Sequence, residues 1–173
     1  MRTGVSPYGV GAAQMWPQVG AVFNAIDEFD INLVIELGVY MGGLSELLYL
    51  RQQRVNGFRY VGFDNAPDQV SRRLVNELPF VWGDVFSDAI KNRVVSEINK
   101  STHALVYCDD GNKPMEMRAY APLIRSRDLI LVHDYPGEAT PKSLEEFGKI
   151  FPFMHEIEPD AYRGIGISLW GKA

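Results

Sequence analysis

Apolar positions recur along this chain in two periods. Val19, Val22, Phe23, Ile26 and Phe29 fall three or four residues apart, which predicts a helix with one apolar face within residues 12–30. Pro17 sits in its first turn, where a missing N–H costs little. Short apolar runs then alternate with helical spacing. The pattern predicts strands at 32–36, 60–64, 80–82, 104–108 and 128–132, and helices at 43–51, 67–77, 88–98, 114–120 and 144–151. Two further strands, 153–157 and 164–170, are joined only by residues 158–163. That link is too short for a parallel crossover, so the pair should be antiparallel. The fourth and fifth strands are nearly all apolar, as central strands buried on both faces should be. The prediction is an α/β fold: one doubly wound, mostly parallel seven-stranded sheet, helices on both faces, and an antiparallel C-terminal hairpin. No repeat or linker interrupts the pattern, so residues 1–173 read as one domain, with the Gly-, Ser- and Pro-containing residues 1–11 as a flexible arm.

Composition narrows the class. Hydrophobic residues make up 46% and charged residues 23% of the chain, the balance of a globular protein. A net charge of -5 gives no general attraction to nucleic acid or anionic lipid. The lone Cys108 excludes an internal disulfide and fits a reducing compartment. No apolar run reaches membrane-spanning length and no signal-peptide core opens the chain, so a cytoplasmic location is expected.

Candidate chemistry gathers where strands end. The first strand hands over to a helix through Glu36-Leu-Gly38-Val-Tyr40-Met-Gly42-Gly43. Glycines there let a ligand approach the backbone, and the helix N-terminus offers free N–H groups. The spacing differs from the Gly-x-Gly-x-x-Gly of dinucleotide enzymes. Each of the first five strands ends at or beside an acid: Glu36, Asp64, Asp84, Asp109 and Asp134. Aspartates cap helices, but five along one rim exceed what capping needs, and ligands of open α/β sheets bind at that rim. Asp64 is placed to accept from a ribose diol and Asp84 from an exocyclic amine, while Glu36 could orient the glycine turn or attract a cationic ligand. His133 is the candidate general base, because an imidazole titrates near neutral pH; Asp109 could serve instead. Strand alternation sends His133 and Asp134 to opposite faces unless the backbone turns directly after Val132. The remaining notable residues read as structural. His103 lies at the wrong end of the sheet, His155 is on the edge hairpin, and Cys108, Trp82 and Trp170 are packing residues. Tyr8 and Trp16, near the arm, pack on the sheet or close over a ligand, and Lys113 reads as a solvated loop lysine.

These motifs, in this order, resemble class I S-adenosylmethionine-dependent methyltransferases from the first helix to the last hairpin. The resemblance implies cofactor contacts from Glu36, Gly38, Tyr40, Gly42 and Gly43 of the first motif, Asp64 and Asn65 of the second, and Gly83, Asp84 and Val85 of the third, together with Asp109. The segment Asp109-Asp-Gly-Asn-Lys113 and the strand ending in His133-Asp134 are similar to a narrower branch, the cephalosporin-hydroxylase-like proteins and metal-dependent sugar O-methyltransferases. That implies a magnesium-type divalent cation held by Asp109, His133 and Asp134. Asn112 stands where many members have His, and His133 where the branch often has Glu, a softer donor than magnesium prefers. The function implied is S-adenosylmethionine-dependent O-methylation of a small hydroxylated or sugar-like molecule. The alternative is a non-catalytic S-adenosylmethionine- or nucleotide-binding module acting through protein contacts. With no inserted domain to shape an acceptor pocket, a second copy of the chain could complete it.

Overall fold

The computed structural model describes residues 14–172; the arm expected over residues 1–11, with Tyr8, lies outside them. Helix α1 (Trp16–Glu28) has Pro17 in its first turn, as the sequence predicts. The chain then alternates: β1 (Leu33–Leu37), α2 (Gly43–Arg54), β2 (Arg59–Asp64), α3 (Arg72–Glu77), β3 (Phe80–Trp82), α4 (Asp88–Ile98), β4 (Ala104–Cys108), α5 (Lys113–Tyr120), β5 (Leu129–Val132) and α6 (Pro141–Ile150). It closes with β6 (Met154–Ile157), the short α7 (Pro159–Arg163) and β7 (Ser168–Lys172). The seven strands form one sheet in the order β3-β2-β1-β4-β5-β7-β6. The first five run parallel to one another, and β7 runs antiparallel to both β5 and β6. This is the predicted architecture, with the predicted hairpin.

Alternation along each strand feeds two cores. Val34, Tyr60, Leu105, Tyr107, Leu129 and Leu131 point into one, under α1, α2 and α3. Leu33, Ile35, Leu37, Val106, Ile130 and Val132 point into the other, under α4, α5 and α6. Both central strands, β4 and β5, are buried along their full length, which is why they read as apolar runs.

Three local expectations are corrected. The helix expected at 67–77 starts only at Arg72, because the Ser71 N–H bonds the Met41 carbonyl at 3.3 Å and Ser71 becomes the cap residue. The link between the last two strands is not a plain loop but carries α7, and β7 begins later than expected, at Ser168. Trp82, expected as packing, is 36% exposed on the β3 edge, whereas Trp170 is buried edge-on against Phe147 at 5.1 Å. Among the described residues, no helix is long and apolar enough to cross a membrane.

Candidate active site

The carboxyl ends of β1, β2, β4 and β5 meet in a cleft of about 490 Å³, whose lining includes Gly38, Tyr40, Asp64, Asp109, His133 and Asp134. Sites for small molecules span roughly 300–1,000 Å³. A strand-end cleft at the point where strand order reverses, between β1 and β4, is where an open α/β sheet offers its loops to a ligand.

The β1–α2 turn is built by two glycines in the left-handed region. Gly38 has φ +86°, and a Cβ there would lie 2.5 Å from the Asp109 carbonyl oxygen and 2.6 Å from Asp110 Cα. Its missing side chain thus lets two strand-end loops touch. Gly42, at φ +89°, leaves room for the Leu74 side chain of α3. Gly42 and Gly43 open α2 behind the turn and are not part of the cleft lining described above.

Asp64 ends β2 beneath this turn. Its Oδ2 accepts from the N–H groups of Val39 at 2.7 Å and Tyr40 at 3.1 Å, and its Oδ1 from Ala66 at 2.7 Å. The carboxylate therefore fixes the turn while lining the cleft, with Asn65 beside it. Glu36 is placed otherwise than the rim pattern suggests. Strand β1 runs one residue further than predicted, to Leu37, so Glu36 lies inside the sheet and is 1% exposed. It accepts from Ser45 Oγ at 2.6 Å and from the Tyr60 hydroxyl. Burial pushes its carboxyl up to about 8, against the pull of those two hydroxyls. The third motif stands beside the cleft. Exposed Asp84 accepts from the Phe86 N–H at 2.9 Å, and the buried Val85 offers its carbonyl to the Tyr120 hydroxyl at 2.6 Å. Gly83, directly after β3, ties them to β2 through an N–H bond to the Asp64 carbonyl at 2.9 Å.

The last part of the site is a charged knot. Beyond Val132 the His133 N–H bonds the Cys108 carbonyl, and Asp134 takes φ +59°. This is the turn required for both side chains to face one cluster. His133 Nδ1 lies 3.0 Å from Asp109 Oδ1 and 3.2 Å from Asp134 Oδ1. With a carboxylate on either side, Nδ1 carries the hydrogen. Nε2 is buried and without a hydrogen-bond partner among the described residues. Burial lowers the proton affinity of His133, but the Asp109 bond and charge, with Asp134, leave it raised. Asp109 Oδ2 also accepts from the Gln14 amide at 2.5 Å.

Lys113 overturns its reading as a solvated lysine. It is 3% exposed, and its Nζ lies 3.4 Å from Asp109 Oδ1, 3.3 Å from Asp134 Oδ2 and 3.0 Å from Glu138 Oε2. Its position four residues after Asp109, at the start of a helix, was the available signal. Glu138 and Gln14 carry no such signal, because only the tertiary fold brings them to Asp109 and Lys113. Nearby, burial raises Asp110 to about 6, aided by the Asp64 charge, and raises Glu116 to about 7 against bonds from the Asp110 and Asn112 N–H groups. Asp109, His133 and Asp134 offer ligand atoms within 4.8 Å of one another, near enough to share one ion. Lys113 already bridges the two carboxylates, so a divalent ion fits between them only with the ammonium displaced.

A second cavity, of about 530 Å³, opens on the other side of Asp134. Its walls include Trp16, Pro17, Tyr135, Pro136 and Ile165. Trp16, 53% exposed, thus faces this second cavity.

No family model matches the sequence, and no curated protein matches it. Solved structures do match the fold. The apo structure of CmcI-N160 is similar over 99% of this chain and 77% of its own, with TM-score 0.74 at 14% identity. The methyltransferase PaMTH1 of Podospora anserina, in its SAH-bound form, covers 88% of this chain and 76% of its own, with TM-score 0.60 at 15% identity. CalS11, a TDP-rhamnose 3'-O-methyltransferase, covers the same shares with TM-score 0.61, also at 15% identity. With its strand order, its reversed β7 and these neighbours, the chain has the class I methyltransferase fold.

Proposed function

We propose that this protein is an S-adenosylmethionine-dependent methyltransferase acting on a hydroxyl group of a small, sugar-like molecule. The observation that carries this reading is the meeting of two cavities at Asp134. One is a polar cleft over the glycine turn, and the other is walled by Trp16, Pro17, Tyr135 and Pro136. The first suits a nucleoside-bearing donor. The second suits an acceptor whose C–H faces stack on aromatic rings while its hydroxyls point to the junction. Solved structures of the same fold include a TDP-rhamnose 3'-O-methyltransferase and SAH-bound PaMTH1.

S-adenosylmethionine supplies a sulfonium methyl, which moves to the acceptor oxygen as the hydroxyl proton leaves. The chain's task is to align the two molecules and to receive that proton. Asp64 and Asn65 hold the ribose end, Asp84 and Val85 the adenine end, and Gly38 and Tyr40 border the space between. His133 and Asp109, the base candidates, are bonded to each other. The carboxylate beside them that reaches solvent is Asp134, 42% exposed, and it takes the hydroxyl proton. The His133 Nδ1–H orients that carboxylate, and Asp109 holds the imidazole in the tautomer that does so. A cytoplasmic setting agrees with the single, buried and unpaired Cys108.

Calorimetric titration with S-adenosylmethionine and, separately, NAD tests the reading. Saturable binding of the first alone is expected. Absence of S-adenosylmethionine binding would reject it. Binding without methylation of any hydroxylated acceptor would favour a non-catalytic binding module.

A further inference from the structure

Lys113 opens α5 and is almost fully buried. Both circumstances oppose its charge, since a helix N-terminus repels cations and burial strips the ammonium of water. It is held there by three carboxylates, those of Asp109, Asp134 and Glu138, at 3.0 to 3.4 Å. Two of the three belong to the group whose ligand atoms converge within 4.8 Å. Asp109 Oδ1 already lies 3.0 Å from His133 Nδ1 and 3.4 Å from Lys113 Nζ. An ion entering between Asp109 and Asp134 would meet the ammonium at the point where both carboxylates are shared.

We propose that Lys113 is the built-in cation of this site: its ammonium stands between Asp109 and Asp134 where a divalent ion would bind, so the native protein has little affinity for such ions and gains it when the lysine is removed. The proposal deepens the methyltransferase reading and rests on it only for the consequence. The positive charge that balances the carboxylates next to the acceptor comes from the chain, and chelators leave the native protein unaffected. Removing the lysine leaves the Asp109 and Asp134 carboxylates facing one another beside His133, with Glu138 at the place the ammonium held, and carboxylate oxygens are donors that a manganese-type ion accepts.

The experiment is titration of Mn²⁺ followed by the electron paramagnetic resonance signal of the free ion, on the full chain and on Lys113→Met. The native protein should show no saturable binding at millimolar Mn²⁺. Lys113→Met should bind one ion, about tenfold more tightly or better, because a like charge has been taken out of the cage. It should melt lower than the native protein without the ion and recover with it, and Asp109→Asn in the Lys113→Met background should abolish both effects. Saturable Mn²⁺ binding by the native protein that Asp109→Asn removes would overturn the proposal, whether or not the lysine variant folds. A Lys113→Met protein that folds, by its near-ultraviolet circular dichroism, yet ignores Mn²⁺ would overturn it equally. Titrating the same native sample with S-adenosylmethionine keeps the two claims apart, since failure there rejects the methyltransferase reading and leaves the ion result standing.

Discussion

Two carboxylates one strand apart show how far environment decides what an acid does. Glu36 and Asp64 both read as rim acids, yet Glu36 sits under α1 and α2 with a carboxyl raised to about 8, while Asp64 takes three backbone N–H bonds. For Glu36 the unfolded chain loses its proton in the ordinary carboxylate range and the folded chain only near 8. The unfolded state therefore binds fewer protons across that interval, and stability falls as pH rises from about 4.5 to about 8, then levels off. Glu36→Gln, which keeps the shape and the polar partners, should flatten that decline and melt higher than the native protein at the upper end. A parallel decline in both proteins, followed by thermal melts across that range, would place its cause elsewhere. Asp64 is different. Losing a charged acceptor costs about 1.5–3 kcal/mol, so Asp64→Ala should weaken S-adenosylmethionine binding about tenfold or more by calorimetry. Unchanged affinity would contradict the role proposed for it at the ribose.

At the scale of elements, the β1–α2 turn and the end of β4 form a single unit. Gly38 joins them because the Asp109 and Asp110 backbone occupies the space a Cβ would need, and the Asp109 N–H in turn bonds the Leu37 carbonyl at 2.8 Å. Sequence reasoning gives Gly38 a role in letting the ligand approach; the structure shows that protein backbone fills the space where a Cβ would go. Gly38→Ala should therefore destabilise the fold itself, by at least about 1–3 kcal/mol, since it adds a strained left-handed φ to the collision. Urea unfolding measures this, and an unchanged midpoint would mean the two loops separate without cost. Helix α5 belongs to the same unit through Lys113 and through Glu116, which accepts from the Asp110 and Asn112 N–H groups. The elements that would hold the ligand are thus tied to one another before any ligand arrives.

Across the whole molecule, the two cores lie on opposite faces of one sheet, and every parallel strand longer than β3 supplies residues to both. Loss of either layer would expose the same strands, so we expect the described residues, 14–172, to unfold as one domain in a single cooperative transition. Two resolved transitions by calorimetry would argue for separable units. S-adenosylmethionine at a hundred times its dissociation constant adds ~2.7 kcal/mol to stability. For a chain of this size that corresponds to a rise in melting temperature of roughly 5–10 °C. NAD should give no rise, and equal shifts with both would point to non-specific stabilisation.

The order of strands and helices, the buried central strands and the reversed hairpin were all legible in the sequence, because apolar period and link length are local quantities that the sheet obeys. The strand-end aspartates were legible for the same reason, since Asp64, Asp109 and Asp134 each follow an apolar run that must end at the rim. Which acids share a cleft was not. Glu36 left the rim because its strand pairs one residue further, a matter of register with β2 and β4 rather than of its own neighbours. The fate of Lys113 was equally closed to local reasoning. A lysine beside a loop is solvated unless something distant claims it, and Asp134 and Glu138 arrive only when β5 is laid beside β4. Local apolar pattern settles which runs become strands and in what order; the tertiary fold sets their last residues and which charges meet there, because register and electrostatic partners depend on distance in space and not on spacing along the chain.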